Sequence, residues 1–254
     1  MHPQGLQGML MLKLNEPVFV MGCGHSGTTL MRDLIGNHSQ IYKTPNDIRL
    51  FQTPEAERHN LIDKWNQECV RNNCHRWMDK MAAYIRIAGE ILNWFQESKL
   101  VVVMRDGRDV ALSLRKRSDF KTGVDRWLQE NEAIKPFLHL PNVTTVKYEE
   151  VVKSPEATMK HVFQFIGEVY EEGIFDFWKV NRRTYQIDFE EGKRLNESQD
   201  QRNFEYLRLW QISQPLYDAS GKWKAELSEC EKDYFKKRAN HLLVELGYAT
   251  DDCW

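Results

Sequence analysis

The chain has 254 residues with 35 Lys and Arg against 37 Asp and Glu, a formal net charge of −2. That balance excludes a protein that coats nucleic acid through bulk charge, so any basic cluster reads as a local anion site. Hydrophobic residues at 41% exclude wholesale disorder, and the length suits one α/β domain over residues 1–254 with an irregular insertion.

Met9 to Leu14 is too short and too interrupted for a secretory signal, and no run reaches the roughly twenty apolar residues of a membrane span. No membrane partner is expected. Met11-Leu-Lys-Leu14 leads directly into the first strand, which makes residues 1–10 a candidate dispensable leader or alternative start. The first strand is expected at 17–22 and a helix at 28–37. Between them Gly22, Gly24 and Gly27 let the backbone turn tightly and approach an anion, and Ser26, Thr28 and Thr29 supply hydroxyls at the opening of a helix whose free N–H groups favour negative charge. Unlike the nucleoside-triphosphate loop G-x-x-x-x-G-K-[ST], the segment Gly24-His25-Ser26-Gly27-Thr28-Thr29 contains no lysine. Magnesium-ATP chemistry is thereby disfavoured.

From 52 to 97 the spacing of Trp65, Cys69, Trp77, Met81, Tyr84 and Ile87 follows a helical period, and two helices are expected to cover this insertion. Leu100-Val-Val-Val103 then reads as a strand buried on both faces, near 99–104, broken by Asp106-Gly107 before a helix near 107–118. Arg105 falls at the strand's end, where ligands of open parallel sheets bind, with Ser113 two helical turns further and Arg117 one turn beyond that. Helices near 122–138, 155–167 and 228–246 and a strand near 143–148 complete the pattern, giving parallel crossovers on a sheet of four or five strands. Residues 169–221, with Gly173, Gly192, Pro215 and Gly221 among charged clusters, are expected to form an irregular substrate wall and lid. Five cysteines, an odd and sparse set, favour reduced thiols and a cytoplasmic location over the soluble portion of a Golgi-type enzyme. Cys69-x4-Cys74 beside His75 lacks a second half, so no metal is expected.

The loop and the Arg-x7-Ser element together resemble the sulfotransferases that use 3′-phosphoadenosine-5′-phosphosulfate (PAPS). The resemblance implies a three-layer, P-loop-like parallel sheet flanked by helices, with a helical insertion and a C-terminal lid. It also implies that Gly24, His25, Ser26, Gly27, Thr28 and Thr29 hold the 5′-phosphosulfate while Arg105 and Ser113 hold the 3′-phosphate. His25-Ser-Gly-Thr-Thr-Leu-Met-Arg32 with His38, and Arg117 as a further arginine, are closest to the tyrosylprotein branch. Tyr148-Glu149 matches the segment whose tyrosine meets the adenine, and Ser220-Gly-Lys222-Trp223 the loop that closes over the nucleotide. The chain departs from the family at His25, where cytosolic members carry lysine and tyrosylprotein enzymes arginine. His25 is therefore expected to serve as the cation once phosphates raise its pKa.

Sulfuryl transfer also needs a base for the acceptor hydroxyl. Asp47 lies where the tyrosylprotein enzymes carry Glu-x-Arg, and Arg49 is then a candidate to position the acceptor. Rival bases are His59, Glu55 and His75. The acceptor, a peptide tyrosine, a carbohydrate or a small alcohol, stays open, as does oligomeric state. Two other classes are a P-loop-type nucleotide kinase and a catalytically silent nucleotide-binding module.

Overall fold

A computed structural model describes residues 13–45, 49–185 and 209–254. Strand β1 (Val18–Gly22) is buried at every position, because it runs between two parallel neighbours and is covered on both faces. Helix α1 (Thr28–Ile35) follows the glycine loop, then β2 (Ile41–Lys43), α2 (Glu55–Arg71), β3 (Arg76–Lys80), α3 (Ala88–Trp94), β4 (Lys99–Met104), α4 (Gly107–Arg115), α5 (Phe120–Ile134), β5 (Val143–Lys147), α6 (Tyr148–Lys153), α7 (Pro155–Ile166) and α8 (Phe177–Tyr185). Four short 3-10 turns, among them Ala82–Arg86 after β3, a short helix at Trp223–Glu226 and a long one at Glu229–Glu245 complete the described elements. The latter starts with a reciprocal capping box between Ser228 and Glu231.

The five strands are all parallel, in the order β2-β3-β1-β4-β5. The chain leaves β1 first toward β2 and β3 and later crosses to β4 and β5, so β1 marks the switch point where open parallel sheets bind ligands at their carboxyl ends. One face of the sheet packs Met31, Leu34, Val162, Phe163 and Phe177. The other packs Trp65, Tyr84, Ile85 and Ile91. A third apolar cluster joins α4 and α5 to the long C-terminal helix around Val110, Trp127 and Phe235. Trp127 is fully buried and its indole N–H donates to the carbonyl of Arg105 at 3.0 Å, so this packing also fixes the end of β4. Truncation of such a tryptophan to alanine costs about 3–5 kcal/mol.

The insertion differs from its expectation. Its helical period holds through Trp65 and Cys69 on α2, but Trp77 belongs to β3, a strand between β1 and β2. Asn72 caps α2 and Asn73 takes a left-handed φ of 55°, a helix stop that the spacing alone concealed. Arg76, Asp79 and Lys80 also give β3 an unstrandlike composition. Their charges are tolerated because Arg76 pairs with Glu168 at 2.9 Å and Asp79 accepts hydrogen bonds from Thr44 and Tyr84.

Candidate functional site

The turn after β1 is held by its own backbone: the Ser26 N–H donates to the Cys23 carbonyl at 3.0 Å. His25 and Gly27 have φ of 71° and 93°. For a non-glycine residue such as His25 the left-handed region costs about 1–2 kcal/mol. At Gly27 a side chain is also excluded by space, since a Cβ would lie 2.7 Å from the Tyr148 ring. No side chain caps α1, which leaves its first-turn N–H groups without intrahelical partners and directed at the loop. Ser26 Oγ is buried and lacks a hydrogen-bond partner. An orphaned hydroxyl beside an open helix start is a cradle for an anion.

Arg105, at the end of β4, reaches into this loop. Its Nη1 donates to the His25 carbonyl at 2.9 Å and its Nη2 to the Ala219 carbonyl at 2.7 Å, while its Nε is buried without a partner. The guanidinium lies over the Tyr148 ring at 4.4 Å. Tyr148 in turn donates to the Tyr217 carbonyl and accepts from the Ala219 N–H, and burial pushes its phenol up to about 12. Asp109 on α4 accepts from the N–H groups of Gly221 and Trp223, at 2.6 and 3.0 Å. Burial raises the Asp109 pKa and those two bonds oppose the rise. The segment 217–223 is thereby strapped across Arg105, with Ser220 bonded to Asp218 and Lys222 in the same strap.

His25 Nδ1 lies 2.8 Å from Ser113 Oγ, so the loop and the Arg-x7-Ser element meet. The ring, however, is held neutral: burial first, and then Arg117, Arg126 and Arg105, lower its pKa to about 4. The expected cation requires an added anion to offset burial and the three guanidiniums. Arg117 lies just beyond α4, and its effect on His25 puts its charge within reach of the loop.

The sequence reading missed a cation on the other side of β1. Lys80, the last residue of β3, extends Nζ to Thr29 Oγ1 at 3.2 Å. Parallel register sets Lys80 opposite Val20 of β1, so the strand end delivers to the loop the lysine that its own sequence lacks. Only the pairing of β3 with β1 reveals this, and no local pattern marks it. Beneath the loop, buried Glu130 of α5 accepts from the Gly24 N–H at 3.2 Å and pairs with Arg126 and Arg86.

The candidate bases separate. Asp47 lies outside the described residues. On its N-terminal side, Thr44 is tied to Asp79 by its hydroxyl and to the Met78 carbonyl by its N–H. Arg49 is exposed and donates to Gln52. His75 sits at the opposite end of β3 from Lys80, paired with Glu168, roughly 16 Å along the strand at 3.3 Å per residue. It belongs to a structural ion-pair cluster. His59 on α2 packs against Trp94, and Glu55 is exposed in the first turn of the same helix.

A model of the Sulfotransferase family matches residues 51–172, the stretch that carries Lys80, Arg105, Ser113 and Tyr148. An uncharacterized protein of Aquifex aeolicus is 22% identical over 208 residues, 66% of this chain and 27% of that protein. The chain thus spans about a quarter of that relative's length. Among solved structures, the sulfotransferase domain of the Synechococcus PCC 7002 olefin synthase superposes with a TM-score of 0.55 at 15% identity, covering 89% of this chain and 94% of the domain. The sulfotransferase domain of the curacin biosynthetic pathway gives 0.56 at 16%, covering 89% and 97%. Mouse sulfotransferase SULT7A1 complexed with PAP gives 0.56 at 14%, covering 91% and 84%. The family match across the centre of the chain and the fold of nearly all of it bear out the resemblance to the sulfotransferase superfamily, without singling out the tyrosylprotein branch.

Proposed function

We propose that the chain transfers the sulfuryl group of PAPS to an acceptor hydroxyl and releases 3′,5′-ADP. The observation that carries this reading is the buried, unpartnered Ser26 hydroxyl at an open helix start, flanked by Lys80 on one side and Arg105 with Ser113 on the other. Two cationic stations on either side of one loop suit a ligand with phosphates at both its 5′ and 3′ positions. The residues fit PAPS: Gly24 to Thr29 for the phosphosulfate, Arg105, Ser113 and Arg117 for the 3′-phosphate, and Tyr148 with the strap at Ser220 and Lys222 for the adenosine. That mouse SULT7A1 was crystallised with PAP supports the choice of nucleotide.

When bound, PAPS supplies an activated sulfuryl group on its 5′-phosphate. Lys80 and the first turn of α1 balance the charge that grows on the departing phosphate, an electrostatic role worth most in a site shielded from water. His25 becomes their third partner when the bound anion raises its pKa. Asp47 takes the proton of the acceptor hydroxyl, and Arg49 orients the acceptor. Thr44 anchors the segment leading to Asp47 at the same strand end that carries Lys80.

The test is turnover of labelled PAPS with a panel of phenols, sugars and aliphatic alcohols, in the presence of a chelator. The expected result is labelled acceptor and 3′,5′-ADP in equal amounts. Binding of 3′,5′-ADP without transfer to any acceptor would instead identify a silent nucleotide-binding module, and magnesium-dependent phosphoryl transfer from ATP a kinase.

A further inference from the structure

Glu130 is 2% exposed on its side chain, yet it faces two arginines rather than one. Its Oε1 lies 3.2 Å from Arg126 Nε and 3.5 Å from Arg86 Nε. Its Oε2 accepts the Gly24 N–H, and after burial itself its charge raises the pKa of the buried Cys23 thiol. One guanidinium suffices to neutralise a buried carboxylate, so the second leaves a surplus positive charge. Arg126 and Arg86 are 39% and 58% exposed on their side chains, which sets that surplus at the surface. Arg126 lies flat against the loop, since a Cβ on Gly24 would come within 2.7 Å of its Nη2.

The position decides what the pair faces. Tyr148 and Arg105 follow β5 and β4, so the base and 3′-phosphate of the proposed donor belong on that side of β1. Lys80, the last residue of β3, marks the opposite side, toward which the transferable group of the proposed donor points. Arg86 closes the single helical turn Ala82–Arg86 that begins two residues after Lys80, and α5 packs against that turn with Arg126. An acceptor that approaches the transferable group from the β3 side meets both arginines.

We infer that Arg86 and Arg126, seated on Glu130, form an anion-recognition pair that selects acceptors carrying a carboxylate, or another small anion, near the reacting hydroxyl. This rests on the donor reading above for its direction, though the surplus charge does not. Forked guanidiniums match the planar, two-oxygen geometry of a carboxylate, and each charge-assisted contact adds affinity that an uncharged isostere lacks.

Three hydroxyl compounds, each as carboxylate and as its amide, test the inference: 4-hydroxyphenylacetate, galacturonate and 3-hydroxybutyrate. Their affinities are read by ligand-observed NMR, with and without saturating 3′,5′-ADP, for the wild-type chain and for Arg86→Gln, Arg126→Gln and Arg86→Lys. The expected result is a carboxylate preference of about tenfold or more in at least one pair, lost toward unity in both Gln variants and largely kept in Arg86→Lys. The 3′,5′-ADP affinity and thermal midpoint of Arg86→Gln should match the wild type, while those of Arg126→Gln shift less than tenfold in affinity, because its charge also acts on His25. Absence of any carboxylate preference in the wild type, or a preference that survives both Gln variants, overturns the inference. So does a tenfold loss of 3′,5′-ADP affinity in Arg126→Gln, which would assign the pair to the donor. If the wild-type chain fails to bind 3′,5′-ADP, the donor reading falls, while the carboxylate-amide comparison without nucleotide still decides the arginine pair.

Discussion

On the β4–β5 side of β1, the residues proposed for the donor come from short contiguous segments: the loop Gly24–Thr29, Arg105 with Ser113, and the strap 217–223 that Asp109 and Tyr148 hold down. Toward β3 the cations are isolated side chains, Lys80 and Arg86, joined by Arg126 of α5, whose charge also reaches His25, so that three separate elements deliver them. The first half is backbone architecture with fixed glycines and N–H groups, suited to one invariant ligand. The second half is side-chain chemistry, which changes without disturbing the fold. A donor common to a family and an acceptor peculiar to one member call for that division.

The comparison breaks most visibly at the proposed base. Asp47→Asn should lower kcat by roughly 10²–10⁴-fold and leave 3′,5′-ADP affinity nearly unchanged, as read by steady-state kinetics beside calorimetry. His59→Ala should be mild, because its ring packs on Trp94. The reverse pattern would move the base into α2. Next in size, Lys80→Ala should lower kcat by about 10²–10³-fold, as loss of one preorganised charge contact does, whereas Lys80→Arg should restore part of the rate. A rate indifferent to Lys80 would leave the loop without its second cation and dissolve the two-sided description.

On the donor side the effects are smaller and concern binding. Arg105→Ala should weaken 3′,5′-ADP by about 1.5–3 kcal/mol, roughly 10- to 150-fold, and 5′-AMP far less. Calorimetry with both nucleotides checks this, and equal losses would contradict the assignment of the 3′-phosphate. The smallest effect is a pH slope. His25 has a folded pKa near 4, below the ordinary histidine value of about 6.5. Its neutral form thus stabilises the free chain above that ordinary value, and this contribution is lost as pH falls toward 4. A bound polyanion raises the pKa again, so the complex takes up a proton. Affinity for 3′,5′-ADP should therefore strengthen as pH falls between the free and bound values, by at most tenfold per pH unit. His25→Gln should flatten that slope, and a slope unchanged in the variant would assign the proton elsewhere.

The residues proposed for the donor could be named from sequence because their signals are local. Glycines beside hydroxyls at a strand-helix turn, and an arginine at the end of a valine-rich strand, have one economical physical reading each. Lys80 escaped because its strand carries Arg76, Asp79 and a helical-looking Trp77, and becomes a strand only through pairing with β1 and β2. Glu130 with its two arginines escaped for a similar reason: Arg126 and Glu130 read locally as an ordinary i, i+4 helix pair. Arg86 joins them only when α5 folds over the turn after β3. His25 was expected as the cation on the phosphosulfate; its bond to Ser113 and its lowered pKa depend on burial and on three arginines, none of which spacing discloses.

Central to the proposed function is that the loop and Arg105 together bind a nucleotide through both a 5′- and a 3′-phosphate, without metal. Thermal unfolding in the presence of a chelator tests it directly. At about a hundredfold over its Kd, 3′,5′-ADP should stabilise the chain by roughly 2.7 kcal/mol, a midpoint rise on the order of 5–10 °C, with 5′-AMP and ATP giving clearly less. Equal shifts from ATP and 3′,5′-ADP, or a shift that appears only when magnesium is added, would contradict the account.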